Sequence, residues 1–151
     1  MLLILIPLLL LIVMDFKHRY VLLWQLGLFA LLQFIGCVWM NGTTATFYNT
    51  LYNFVILFVI AILLKIYLFI RFKGKAINAI GAGDLFFLPL LSPYFTYHSF
   101  LIFLIISLTI TLLSWIVYCK YRNDVLNKVP LITGVGVCYL GKVIFDLINL
   151  Q

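Results

Sequence analysis

The sequence predicts an all-α membrane protein that crosses the bilayer six times, with its N-terminus and its C-terminus both outside. Three observations predict it. Of 151 residues, 66% are apolar, 17% aromatic and only 9% charged, whereas a soluble domain is typically about half apolar and about a quarter charged. A chain this poor in polar groups has the bilayer as its solvent. Six apolar runs divide it, at 2–14, 20–40, 47–70, 77–91, 100–118 and 130–150. The five connections between the runs hold, in order, two, zero, three, zero and three lysines or arginines. Positive charge marks the cytoplasmic side, so this alternation orients every run without exception.

The first run lacks a basic leading region and an A-x-A cleavage site and passes straight into Asp15. It is therefore expected to be a retained span rather than a signal peptide, held inside by Lys17 and Arg19. A ~30 Å hydrocarbon core takes about 20 helical residues. The second, third, fifth and sixth runs reach that length. The third carries Lys65 near its inner end, where the side chain snorkels toward the interface close to Arg71. The fourth is short and contains Gly81, Gly83 and Pro89, all poor helix-interior residues. Dropping it breaks the charge alternation, so it is kept as a span accommodated by thinning, tilt or a water-filled recess. Pro130 opens the sixth run, in a first turn where its missing N–H costs nothing. Trp24, Trp39 and Trp115 fall near run ends, as aromatic-belt residues do, and Gly134 and Gly136 permit close helix contact. With no internal repeat, low-complexity tract or linker, residues 1–151 are read as a single membrane domain.

The net charge of +6 would suggest a nucleic-acid binder in a soluble protein, but eight of the ten basic residues lie in the connections. Lipid head groups are their expected partners, and nucleic acid is not. Cys37, Cys119 and Cys138 are far apart and form no C-x-x-C pair, which disfavours a disulfide scaffold or a zinc ribbon. No grouping of histidine, cysteine and carboxylate has metal-ligand spacing, and no loop is built to cradle phosphate. Neither a metal nor a cofactor is expected.

There is no glutamate, and the four carboxylates are Asp15, Asp84, Asp124 and Asp146. Asp124 sits among Arg122, Asn123, Asn127 and Lys128 as a loop residue. Asp146 stands one helical turn from Lys142, an i, i+4 pair toward the outer end of the last run. Asp15 ends the first run and Asp84 lies in the fourth, so both fall on the cytoplasmic half and in the two shortest runs. A carboxylate inside or bordering hydrocarbon costs at least ~2.5 kcal/mol, which makes an intramembrane acid a functional hypothesis by default. For Asp15 alone a solvated helix end beside Lys17 and Arg19 is an equally good account. Asp84, within Ile77, Ala79, Ile80, Leu85, Phe86, Phe87 and Leu88, has no evident local counter-charge.

Two acids at similar depth suggest a dyad. Held within a few ångströms they would share one proton, leaving an acid and a base at neutral pH. The base takes a proton from a water between them while the acid protonates the scissile carbonyl oxygen, so a peptide bond is hydrolysed without metal or covalent intermediate. The glycines of the fourth run leave room for an extended substrate backbone.

These residues resemble a known family. Gly81-Ala82-Gly83-Asp84 matches the G-x-G-D signature of the intramembrane aspartyl proteases. Asp15-Phe16-Lys17-His18-Arg19-Tyr20-Val21 resembles the first-aspartate segment of the type IV prepilin peptidases, in which an acid ends a span and basic residues follow. Lys73-Gly74-Lys75 and Val129-Pro130-Leu131 are similar to that family as well. The match covers essentially the whole chain. It implies a short, peptidase-only enzyme of a prokaryotic cytoplasmic (inner) membrane that cleaves the basic leader of prepilin or pseudopilin substrates, just before their hydrophobic helix, with Asp15 and Asp84 as catalysts and Gly81 and Gly83 shaping the site. Leu22 stands where that family often has proline, and Phe86 where it often has lysine, differences that bear on substrate detail more than on the pair. The long bifunctional members carry an additional N-terminal domain with paired cysteines that methylates the product, so cleavage alone is expected here. The presenilin and signal-peptide-peptidase branch is disfavoured, because Met14 rather than tyrosine precedes Asp15 and no Pro-Ala-Leu segment occurs.

Two other classes compete. In a small proton-coupled transporter Asp15 and Asp84 would relay protons, although paired broken helices or repeated halves are then usual. In a non-catalytic assembly subunit of a pilus or secretion machine both acids would be replaceable. His18, beside Asp15, is most simply a solvated loop residue, and His98 falls on the opposite, outer side. The basic cytoplasmic rim would repel a basic leader, so it orients the protein rather than attracting substrate.

Overall fold

A computed structural model describes residues 2–18, 21–72, 82–122 and 131–149. These form α1 (Leu2–His18), α2 (Leu23–Asn41), α3 (Thr43–Phe72), α4 (Ala82–Leu90), a 3₁₀ turn (Ser92–Tyr94), α5 (Tyr97–Arg122) and α6 (Leu131–Asn149), with no strand among the described residues. A helix satisfies its backbone N–H and C=O groups within one segment, which hydrocarbon demands. Among the described residues four helices are long and apolar enough to cross a membrane: α2, α3 over Thr43–Tyr67, α5 over Tyr97–Tyr118, and α6. The 17 residues of α1 and the nine of α4 make roughly 25 and 13 Å of helix at 1.5 Å per residue. Large apolar side chains point outward, with Trp39 88%, Leu23 75% and Ile70 72% exposed. Lipid tolerates such a surface and water does not.

The helices α1, α3 and α5 outrun their apolar runs, whereas α2 begins three residues inside its own, at Leu23. α1 continues through Asp15 and Lys17 to His18, and α3 begins at Thr43 rather than at 47. Hydropathy marks where hydrocarbon ends, whereas helical hydrogen bonding stops only where a residue breaks it. Gly42, the one residue between α2 and α3, is such a breaker, with φ at +80°, a left-handed conformation that suits glycine. Its N–H bonds Val38 O at 2.9 Å, closing α2, and its carbonyl accepts from Thr46 N–H at 3.2 Å and Thr46 Oγ1 at 2.7 Å, opening α3. Pro89 stands one residue before the end of α4. The Ser92 hydroxyl donates to the Pro89 carbonyl at 2.6 Å as the chain tightens into the 3₁₀ turn.

The chain divides into two compact units, 1–32 with 101–151, and 33–100. In the first, Ile4, Leu8, Leu11 and Asp15 are buried, a spacing that puts all four on one stripe of α1. That stripe packs antiparallel against α6, since Asp15 meets Thr133 while a Cβ added at Gly136 would lie 2.9 Å from Ile12 Cγ1 and 3.8 Å from Leu8 Cδ1. On α6, Ile132, Val135, Tyr139 and Val143 are buried. The Tyr139 ring is edge-on to Phe29 of α2 and Phe103 of α5, with centroids 6.3 and 6.2 Å away, a favoured aromatic geometry. At Gly134 the Thr111 side chain of α5 fills the space a Cβ would take.

The second unit is organised by Asn53, fully buried on α3. Its Nδ2 donates to the carbonyls of Ser92 at 2.9 Å and Phe95 at 2.7 Å. Irregular backbone within an apolar protein needs such donors. Leu91, Pro93, Phe95 and Phe100 are buried around this turn, with the Phe95 ring 5.1 Å from Tyr94 and 5.9 Å from Phe100.

Candidate active site

Asp15 occupies the last turn of α1 and is 7% exposed. It continues the apolar stripe Ile4, Leu8, Leu11, so the helix turns the carboxylate inward with its packed face. The flanking Phe16, Lys17 and His18 are exposed. The structure thus buries the acid while Lys17 and His18 stand exposed.

The carboxylate is met by α6. Its Oδ2 accepts from the Thr133 backbone N–H at 2.8 Å and from the Thr133 hydroxyl at 2.8 Å. The first N–H groups of a helix have no acceptor within it, and Thr133 lies in the opening turn of α6, so Asp15 satisfies one of them. The electropositive end of the helix draws the carboxylate there. The Ile12 carbonyl, at 3.4 Å from the Thr133 hydroxyl, is a longer second acceptor.

Beside this contact lies a cleft of about 160 Å³. Phe16 of α1, Thr133 and Gly134 of α6, and Thr111, Ser114, Trp115 and Tyr118 of α5 line it. The Trp115 and Tyr118 rings stack with centroids 5.5 Å apart. Gly134, having no side chain, lets Thr111 of α5 close against α6 at the edge of the cleft. The Thr111 hydroxyl turns back to the Ser107 carbonyl at 2.6 Å, which leaves the walls largely aromatic and hydrocarbon. Thr133 belongs both to the cleft and to the shell of Asp15.

No family model, curated protein or solved structure matches the chain.

Asp84 and Gly83 stand at consecutive positions of α4. The Asp84 side chain and Gly81 lie outside the described residues, as do Lys73-Gly74-Lys75, Asp124 and Pro130. Asp146 pairs with Lys142 on α6, as their spacing predicts. Lys65 is exposed on α3. His98 is exposed in the first turn of α5, its ring edge-on to Tyr97. Among the described residues no group of three or more His, Cys, Asp or Glu is placed to hold a metal ion.

The residue that sequence reasoning missed is Thr133. A signal for it exists: a polar residue in the opening turn of the last span, three positions after Pro130, on the side of the membrane to which the charge alternation assigns Asp15. A helix start with free N–H groups and a carboxylate at the same depth are natural partners.

Proposed function

We propose that the chain is an intramembrane aspartyl endopeptidase that removes the leader from prepilin-like proteins at the cytoplasmic face of a prokaryotic inner membrane, using Asp15 and Asp84. The observation that carries the reading is Asp15 itself. A solvated helix-end acid would point out with Lys17 and His18, whereas this one is buried on the packed face and, among the described residues, accepts its bonds through Oδ2. The G-x-G-D run ending at Asp84, in the first described turn of α4, supplies the second acid, with Gly81 and Gly83 leaving room for a substrate backbone.

In this reading one carboxylate takes a proton from water as the water oxygen attacks the scissile carbonyl carbon. The other acid gives its proton to the carbonyl oxygen, and the tetrahedral species collapses as the amine leaves with a proton. Both acids act from the inner half of a six-span protein whose termini are outside. A carboxylate pair activates water by itself, so the proposed reaction calls for no cofactor.

Co-expression with leader-bearing pseudopilins tests it, with substrate size as the readout. Asp15→Asn and Asp84→Asn are each expected to abolish processing while the protein still accumulates folded. Cleavage that continues in either variant overturns the dyad. Proton-dependent flux lost in the same variants, without cleavage, would mark a transporter, and intact pilus or secretion assembly in both would mark a structural subunit. Cysteine labelling is expected to reach position 73 from the cytoplasm and position 44 from outside.

A further inference from the structure

Both donors that reach Asp15 come from one residue. The Thr133 N–H and hydroxyl each lie 2.8 Å from Oδ2, and among the described residues nothing donates to Oδ1. The terminal torsion of an aspartate is broad and weakly held by its own rotamer preference. One backbone donor and one side-chain donor converging on the same oxygen restrict that torsion far more than either alone. We infer that Thr133 is the positioning residue for Asp15: it pins Oδ2 and so presents Oδ1 as the oxygen that meets the reacting water.

The catalytic consequence rests on the function proposed above, while the geometry stands by itself. Any residue other than proline at position 133 would offer the backbone N–H, so the specific contribution of threonine is its hydroxyl. The hydroxyl hydrogen has two acceptors in reach, and the carboxylate oxygen at 2.8 Å outcompetes the Ile12 carbonyl at 3.4 Å because short, charge-assisted bonds are the stronger. Thr133 touches no reacting atom itself. It acts by aiming one that does, and it also lines the cleft beside Asp15, which places that cleft within one residue of the carboxylate.

The alternative is that the contact only clamps α1 to α6. The two differ in what a shape-conserving variant does. Thr133→Val keeps the branch and the N–H but removes the hydroxyl, and Thr133→Ser restores it. With purified protein and a pseudopilin substrate in micelles, Thr133→Val is expected to lower kcat roughly 10- to 100-fold, the scale of a misaimed reacting group, with KM little changed. Thr133→Ser is expected to recover most of the rate. A valine variant that cleaves at the wild-type kcat per folded molecule, while being merely less stable, overturns the inference.

An infrared measurement decides the geometry independently of cleavage. The difference between wild type and Asp15→Asn isolates the carboxyl band of Asp15. That band is expected to shift in Thr133→Val and to stay in place in Thr133→Ser, and an unmoved band in the valine variant also overturns the inference. Should the wild type cleave no pseudopilin, the proposed function fails, and the infrared comparison still decides whether Thr133 holds Asp15.

Discussion

Three glycines of α6 should respond to alanine in a graded order that the packing dictates. A Cβ at Gly134 would lie 2.3 Å from Thr111 Oγ1, 2.4 Å from its Cγ2 and 2.7 Å from its Cβ. Ordinary carbon contacts are about 3.5–4.0 Å, so α5 and α6 must part by about 1 Å. The Thr111 Cβ is fixed to its backbone and cannot swing away. Overpacking of this kind costs about 2–3 kcal/mol, and the better helix propensity of alanine returns at most about 1 kcal/mol. Gly134→Ala is thus expected to destabilise by about 1–2 kcal/mol. At Gly136 the neighbours are Ile12 Cγ1 at 2.9 Å and Cδ1 at 3.2 Å, the flexible end of a side chain, and the two effects nearly cancel. At Gly141 nothing lies within 4 Å, so alanine should stabilise by about 0.5–1 kcal/mol. Reversible unfolding in mixed micelles titrated with dodecyl sulfate measures all three. Thr111→Gly removes the three nearest atoms at Gly134, so in that background Gly134→Ala should cease to destabilise, a coupling of more than about 1 kcal/mol. Equal effects at 134 and 141, or additive effects of the 111 and 134 changes, would refute the close approach of α5 and α6.

Three further outcomes can be read in the same assay. Asn53→Leu leaves the buried Ser92 and Phe95 carbonyls without their side-chain donor and should cost about 2–4 kcal/mol, with faster hydrogen exchange around residues 91–96. Tyr139→Ala empties the space between Phe29 and Phe103 and should cost about 3–5 kcal/mol, whereas Tyr139→Phe keeps both ring contacts and should lose much less. Lys142→Met breaks the pair with Asp146, whose side chains are 41% and 28% exposed, and should change stability by less than about 1 kcal/mol.

The long helices were legible because their cause is local. Runs of apolar residues and the rhythm of Lys and Arg mark α2, α3, α5 and α6 without any knowledge of packing. Helix ends were less legible: the stop between α2 and α3 depends on the backbone sign at Gly42, and Lys17 and His18 extend α1 because nothing there interrupts its ladder. Contacts across the fold were hidden. Composition flags Gly134 as small but cannot say that Thr111 is what presses on it. Asn53 reads as one more polar residue in a span until Ser92 and Phe95 are placed beside it. In the candidate site the acids announced themselves by scarcity, whereas Thr133 is one of several ordinary threonines until the antiparallel pairing of α1 and α6 sets it against Asp15.

The bonds of Asn53 also order the assembly of the second unit in time. The Ser92 and Phe95 carbonyls find their donor 39 and 42 residues earlier in the chain. At about 5–20 residues per second, α3 precedes the turn out of the ribosome by roughly 2–8 s. The donor is therefore already in place when its acceptors are made, and the turn has a partner from the moment it forms. Moving the α3 sequence behind the turn by circular permutation would reverse that order, leaving two apolar-bound carbonyls to wait for their amide, and insertion yield would record the difference.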